Sequence, residues 1–323
     1  MVMGELTQET EVLVIGSGPG GYAAAFRAAD LGLDVTMVDP GARPGGVCLY
    51  KGCIPSKTLL YLAELIHDAA RAEDMGVSFG KPRIDLEALR TWKGRVIDQM
   101  ADGLVSLNHR RGVQLLKGRV AFESSETVRV HDAEVSHIKF RHAILASGSH
   151  PIPFPKTTFK TGGRIMSSTG ALALADVPAK LLIVGGGYVG LELGTVYAAL
   201  GSRVRLVELE DRLLAGVDQD LVQPLHRRLG KVFESINLKT GVVSMEENKT
   251  GVEVTFEGDI DTPRQTFDKV LVAIGRKPCS SDIGLANTKV AVDEKGYVGV
   301  DDRQRTADER IFAVGDVTGG MLL

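Results

Sequence analysis

Two cysteines five positions apart, Cys48 and Cys53 in GGVCLYKGCIPSK, are the residues of this 323-residue chain best suited to electron transfer. Two thiols that close into a disulfide and reopen store and release two electrons, and exchange with an outside disulfide runs through a mixed disulfide. In a regular helix their offset amounts to about 7.5 Å of rise and roughly 140° of rotation. Bridged cysteines hold their Cα atoms about 4.4–6.8 Å apart, so an unbroken helix through both does not suit a bridge. Gly52 tolerates an irregular turn between them, and Pro55 belongs in the first turn of a helix beginning near Cys53. A thiol at that helix N-terminus, with Lys57 nearby, favours the nucleophilic thiolate. Two structural cysteines or a metal pair are the competing readings, although no second cysteine pair or histidine cluster stands at zinc spacing. Cys279, in RKPCSSD, reads as a loop cysteine.

A dithiol needs an electron acceptor, and the segment before it offers a place for one. EVLVIGSGPGGYAAAFRAADLGLDVTMVDP reads as a strand (11–15), a turn with G-x-G-x-x-G spacing at Gly16, Gly18 and Gly21, a helix (22–31) and a second strand (34–38) ending at Asp39. Gly16 allows the tight turn, Gly18 lets a pyrophosphate approach the backbone, and Gly21 lets helix and strand pack closely. The helix N-terminus turns unpaired N–H groups toward the phosphates, and Asp39 can accept hydrogen bonds from ribose hydroxyls. KLLIVGGGYVGLELGTVYAALGSRVRLVELED repeats the device with Gly185, Gly187, Gly190 and Glu208. From first glycine to acid both units count 23 positions (39 − 16 and 208 − 185). A flavin accepts two electrons from a thiolate and passes a hydride to a nicotinamide, so FAD is expected in the first unit and NAD in the second.

The bulk composition sets the frame for these motifs. The length calls for two or more domains, and 44% hydrophobic with 24% charged residues fits a chain with substantial cores. A net charge of −3 gives no electrostatic reason to expect nucleic acid or an anionic membrane as partner. The opening MVMGELTQETE has neither the basic flank nor the apolar run of a secretory signal. Leu181–Gly201 is apolar enough to suggest a membrane span, but its six glycines and Glu192 read better as strand, turn and helix. Three cysteines make no disulfide framework, and a cytoplasmic setting is expected.

The cysteine segment resembles GGTCLNVGCIPSK of the flavin-dependent pyridine nucleotide–disulfide oxidoreductases, above all the branch that oxidises dihydrolipoamide. LASGSHP (145–151), VAIGRKP (272–278) and RIFAVGDVTGG (310–320) carry the resemblance on from about Glu11 to the last residue. Tyr50 and Lys51 stand where the family has Asn-Val, and Ser147 where it has Thr. The resemblance implies that Cys53 lies against the flavin as the charge-transfer thiolate and that Cys48 is the interchange thiol. It implies that Lys57 sits near flavin N5 with Glu192 as its carboxylate partner, and that Asp316 binds the ribityl chain. Gly118, Ser147, Gly148, Gly275 and Gly315 complete the cofactor contacts it implies. The implied reaction reduces NAD, with lipoyl groups of a 2-oxo acid dehydrogenase complex as partners and a homodimer as the assembly.

The family's base is a histidine on a third, C-terminal domain, oriented by a glutamate five residues later and supplied across the dimer interface. None of His67, His109, His131, His137, His142, His150 and His226 has that glutamate, and each is expected on a surface or in a loop. The chain therefore reads as truncated, lacking its C-terminal dimerisation domain, and as inactive toward dihydrolipoamide in this form. A reductase for mercury, glutathione or another thiol, and a non-catalytic dinucleotide-binding module, are the alternative functions.

The expected fold class is α/β: two Rossmann-like dinucleotide-binding domains, one inserted in the other, with small antiparallel β additions. Residues 1–147 and 276–323 should form the discontinuous FAD domain and 148–275 the NAD domain. Residues 59–72 and 86–108 read as helices. The alternating stretches VRVHDAEVSHIKFRHAILAS and VEVTFEGDIDTPRQTFDKVLVAIG read as strands closing the first and second domains.

Overall fold

The computed structural model describes residues 6–320 and 322; the opening MVMGE and the two remaining terminal positions of the expected domains lie outside the described residues. The elements begin with β1 (Thr7–Ile15), α1 (Pro19–Asp30), β2 (Val35–Asp39), α2 (Gly46–Lys51), α3 (Cys53–Arg71) and α4 (Leu86–Arg110). There follow β3 (Gln114–Lys117), β4 (Arg119–Phe122), β5 (Thr127–His131), β6 (His137–Leu145) and β7 (Ser149–Pro151). Next come β8 (Ile165–Met166), α5 (Ser168–Ala173), β9 (Lys180–Val184), α6 (Tyr188–Ala199), β10 (Arg203–Val207), α7 (Gln219–Val232) and β11 (Ser235–Asn237). The chain continues through β12 (Thr240–Glu247), β13 (Val252–Gly258), β14 (Arg264–Phe267), β15 (Lys269–Val272), β16 (Arg276–Pro278) and β17 (Ile311–Ala313). They divide into two compact units. One is built from the chain up to Tyr50, Ile97–His150 and the stretch from Arg276, the other from Lys51–Val96 and Pro151–Gly275.

The first unit is organised by a seven-stranded sheet in the order β3-β2-β1-β6-β5-β4, with β17 also paired to β6. β1 sits in the middle because it is apolar on both faces, as a central parallel strand must be. Leu13 and Ile15 pack with Ile138, Phe140 and Leu145, while Val12 and Val14 turn to the other face and pack with Ala25 and Ala28 of α1. The nine residues of β6 serve different neighbours along their length. Its first half pairs antiparallel with β5, and Ala143–Leu145 pair in parallel with β17. That second pairing delivers the segment after β17 to the carboxyl end of the sheet, beside the turn that follows β1.

In the second unit β11-β10-β9-β15-β8 form a fully parallel five-stranded sheet. Leu181 and Ile183 of β9 meet Leu191, Leu193 and Tyr197 of α6 on one face. Leu182 and Val184 meet Val252, Val254 and Phe256 on the other, so the antiparallel sheet β12-β13-β14 covers that face. The alternating stretch expected to close the second domain is thus split, with β13 and β14 in the covering layer and β15 in the parallel sheet.

The cysteine segment is helical on both sides of a break. α2 ends at Lys51, Gly52 takes φ −145° and ψ −113°, and α3 starts at Cys53. One expectation needs correcting: His137 is buried in β6, with Nε2 3.4 Å from Glu123 Oε2, instead of lying on a surface or in a loop. Alternation sets this position on the face of the exposed Lys139 and Arg141, and pairing with β1 on one side and β5 on the other covers it.

A buried carboxylate secures the approach to β17. Asp308, only 3% exposed, accepts from Ser125 Oγ at 2.5 Å and from the N–H groups of Lys289 and Arg310, both at 3.1 Å. Burial alone would push its carboxyl up, but the Ser125 hydroxyl and the two N–H groups outweigh it and hold the carboxyl below its ordinary 3.8. The unfolded chain therefore takes up the proton first. The stabilisation is complete above 3.8 and is lost as pH falls through the lower folded value. Asp308→Ala should cost about 2–3 kcal/mol at neutral pH, and denaturant melts of the variant should show a smaller loss of stability on acidification than the parent.

Candidate functional site

β1 ends one residue before Gly16, whose φ of +101° lies in the left-handed region that favours glycine. A Cβ there would come within 2.2 Å of the Ala146 carbonyl oxygen, and one at Gly21 within 1.9 Å of the Gly16 oxygen. A Cβ at Gly18 would meet nothing within 4 Å, so the backbone at the start of α1 faces open space. Pro19 opens that helix at no cost, because the first turn leaves its N–H unpaired in any case. The turn is braced from β2: Ser17 N–H donates to Asp39 Oδ2 at 2.8 Å, and Gly41 N–H to Oδ1 at 2.7 Å. Gly118 N–H holds the Asp39 carbonyl at 2.9 Å.

The second turn repeats this bond for bond. Gly185 has φ +108°, a Cβ on it would lie 2.4 Å from the Ala273 oxygen, and one on Gly190 would lie 2.2 Å from the Gly185 oxygen. Gly187 again faces open space. Gly186 N–H donates to Glu208 Oε2 at 2.5 Å, and Glu210 N–H to Oε1 at 2.9 Å. Each acid thus spends one lone pair per oxygen on its own turn and leaves others able to accept further hydrogen bonds. Arg203 and Arg205 do not compete for that place. Both turn to Glu234, at 3.9 and 3.6 Å.

The pair of turns fits two dinucleotides. Each offers a helix N-terminus, an open glycine and an acid one strand away. The first also holds Ser17, fully buried, whose Oγ makes no hydrogen bond among the described residues. Such a deficit inside a phosphate turn is what a bound polar group or an ordered water satisfies.

Cys48 lies in α2 and Cys53 is the first residue of α3, each half-buried. Lys57 follows Cys53 by one turn on the same helix face. Its Nζ donates to Glu192 Oε1 at 2.6 Å, with Lys57 62% and Glu192 28% exposed. At that exposure the pair adds little stability, and its consequence is to fix where the ammonium points. Glu192 lies in α6, the helix that opens on the second glycine turn.

Of the remaining expected residues, Ser147, Gly148, Gly315 and Asp316 lie in the first unit and Gly275 in the second. Gly148 and Gly315 have φ of +72° and +82°, and a Cβ on either would meet nothing within 4 Å. Ser147 Oγ donates to the Cys279 carbonyl at 2.6 Å, and Cys279 N–H to the Gly148 carbonyl at 2.9 Å. Burial pushes the Cys279 thiol up, with Arg276 opposing and Asp316 adding to the effect, so this cysteine is a poor nucleophile. Gly275, at φ +124°, receives Ile152 N–H on its carbonyl at 3.1 Å.

Several residues of the site escaped sequence reasoning. Ser149 and Arg276 both contact Asp316 and lie inside quoted motifs, but nothing in their spacing reveals the contact. Gly46 packs so tightly that a Cβ on it would lie 2.6 Å from Gly18 Cα. Arg43 anchors the loop before Cys48 to Asp98 and Asp102 of α4, at 3.0 and 2.6 Å. More than fifty residues separate those partners, and no local pattern joins them.

The family model of the pyridine nucleotide-disulphide oxidoreductases matches residues 10–323. Among curated proteins, dihydrolipoyl dehydrogenase 2 of Haloarcula marismortui is 43% identical, over 100% of this chain and 69% of its own length. The dihydrolipoyl dehydrogenase of Haemophilus influenzae is 41% identical, over 98% of this chain and 66% of its own length. Among solved structures, the HOCl-induced flavoprotein disulfide reductase RclA of Escherichia coli superposes with a TM-score of 0.83 at 26% identity, covering 97% of this chain and 67% of that one. The chain spans about two thirds of the length of the relatives it matches.

Gly21 and Gly190 are forbidden a side chain by backbone contact alone, so Ala at either position damages its own turn only. Gly21→Ala should lower flavin affinity at least tenfold. Gly190→Ala should purify yellow and lose NADH affinity by a similar factor, as read by flavin absorbance and NADH fluorescence titration; the reverse pattern would exchange the two cofactor assignments.

Proposed function

The chain belongs to the pyridine nucleotide-disulphide oxidoreductase family, and from that membership we propose that it is the FAD- and NAD-binding core of a dihydrolipoyl dehydrogenase. The observation that carries the reading is the Lys57–Glu192 pair, at 2.6 Å. It joins the helix opening on Cys53 to the helix opening on the second dinucleotide turn. The relatives named dihydrolipoyl dehydrogenase, 43% and 41% identical over nearly the whole chain, support it.

In this reading FAD is held by Gly16, Gly18, Gly21 and Asp39, with Gly118, Ser147, Gly148, Gly315 and Asp316 along its length. NAD is held by Gly185, Gly187, Gly190, Glu208 and Gly275. FAD supplies a two-electron relay between thiols and NAD. Cys48 and Cys53 begin as a disulfide. A thiolate of the dihydrolipoyl group attacks Cys48 sulfur and Cys53 leaves as thiolate. The second substrate sulfur then displaces Cys48, leaving a lipoyl disulfide and two reduced cysteines. The net change converts dihydrolipoyl and NAD⁺ into lipoyl, NADH and a proton. The Lys57 ammonium, one turn from Cys53, favours the departing thiolate, and Glu192 keeps it in place. A proton acceptor for the attacking thiol contributes roughly 10²–10⁴-fold in such reactions, and the family resemblance puts that base in the third of the relatives' length not spanned here.

Glu208 accounts for a preference for NAD: its carboxylate binds ribose hydroxyls and repels a 2′-phosphate. The partners of this reading are lipoyl groups of a 2-oxo acid dehydrogenase complex, in a cytoplasmic homodimer. Among the described residues no helix is long and apolar enough to cross a membrane.

The test is a paired assay on flavin-loaded protein of the relatives' full length. Cys48→Ser should abolish NAD reduction by dihydrolipoamide yet leave NADH oxidation by a dye acceptor within about twofold of the parent, since that reaction needs no interchange thiol. In the parent, NADPH should bind at least tenfold more weakly than NADH. Undiminished dihydrolipoamide oxidation by the variant would remove Cys48 from the mechanism, and equal binding of the two nicotinamides would remove Glu208 from specificity.

A further inference from the structure

We propose that Ser149 and Arg276 are positioning residues that act through Asp316, together presenting one carboxylate oxygen to a hydroxyl of the bound flavin's sugar chain. The proposal rests on the reading of Asp316 as a flavin ligand. Arg276, its side chain 13% exposed, donates from Nε to Ser149 Oγ and from Nη2 to the Ser149 carbonyl, both at 2.7 Å. Ser149, itself 5% exposed, donates from Oγ to Asp316 Oδ2 at 2.5 Å. The direction of every bond is forced. A guanidinium only donates and an ionised carboxylate only accepts, so the hydroxyl between them accepts from Arg276 and donates to Asp316. Arg276 Nε also lies 3.6 Å from Asp316 Oδ2, so the charge of the pair falls on the same oxygen.

The other oxygen, Oδ1, accepts no hydrogen bond among the described residues, and the side chain is 28% exposed. It is flanked by Gly315, immediately before it, whose missing Cβ leaves open space, and Gly148, immediately before Ser149, is open in the same way. The arrangement engages Oδ2 with the buried Ser149 hydroxyl and the Arg276 charge and leaves Oδ1 available to a donor from outside. A sugar hydroxyl is such a donor. Holding Asp316 in one rotamer before the cofactor arrives removes an ordering cost from binding.

Stripped of flavin, the full-length protein can be titrated with FAD and separately with ADP, which carries only the adenine half of the cofactor. Ser149→Ala should weaken FAD binding roughly tenfold, about 1.4 kcal/mol, and leave ADP binding unchanged. Arg276→Gln should give the same pattern by an independent route. In an Asp316→Asn background neither change should weaken FAD further, because groups that act through one residue are not additive. If Asp316→Asn itself binds FAD like the parent, the reading of Asp316 as a ligand fails. If Asp316→Asn weakens FAD but Ser149→Ala and Arg276→Gln do not, that reading stands and the positioning role is overturned. Equal losses of FAD and ADP affinity, or a full additional loss in the Asp316→Asn background, would also overturn it.

Discussion

The molecule depends on one interaction made twice: a carboxylate at the end of a strand accepting the N–H of the residue after a strand-ending glycine. Asp39 holds Ser17 and Glu208 holds Gly186, at 2.8 and 2.5 Å. A chain leaving a strand for a helix within five residues must pass through a left-handed conformation, and in both turns a carbonyl oxygen then stands where a Cβ would go. Such a turn has few side chains to hold it in shape. The acid supplies the missing constraint from the neighbouring strand, and it is a charge-assisted constraint on backbone N–H groups, stronger than a neutral pair.

Both glycine turns lie at the carboxyl ends of strands, where the order of each sheet turns. In the first unit the chain moves from β1 out to β2 and β3, then returns to β6 on the other side. In the second it moves from β9 to β10 and β11, then returns to β15. Neighbouring connections leave in opposite directions at these points, and the glycine turns stand there. The first unit adds β17 beside β6, which brings Gly315 and Asp316 to the same edge as Gly16. The buried Asp308 network holds the approach to that strand.

Much of this was legible because it is local. The glycine spacing, the equal distance to the acid and the break at Gly52 are all written within short windows, and the helix beginning at Cys53 lies where proline chemistry puts it. The Lys57–Glu192 contact spans 135 residues and was reached through resemblance to a family, not through spacing. What stayed hidden depends on long-range packing. The Ser149–Arg276–Asp316 relay joins three motifs whose separations carry no period. The burial of His137 follows from the register of β6 with β1 and β5, which no single strand reveals. The antiparallel layer over the second sheet looked like a closing strand set because alternation reports that one face is covered but not by what.

In the proposed mechanism the cysteine pair and the flavin form a single electron path. Reductive titration of the flavin-loaded protein with dithionite tests this most directly. A flavin takes up two electrons and a disulfide two more, so uptake should reach about four electrons per flavin. A long-wavelength absorbance band should appear near the half-way point, persisting in Cys48→Ser and absent in Cys53→Ser. Uptake of only about two electrons per flavin, with no such band, would contradict it.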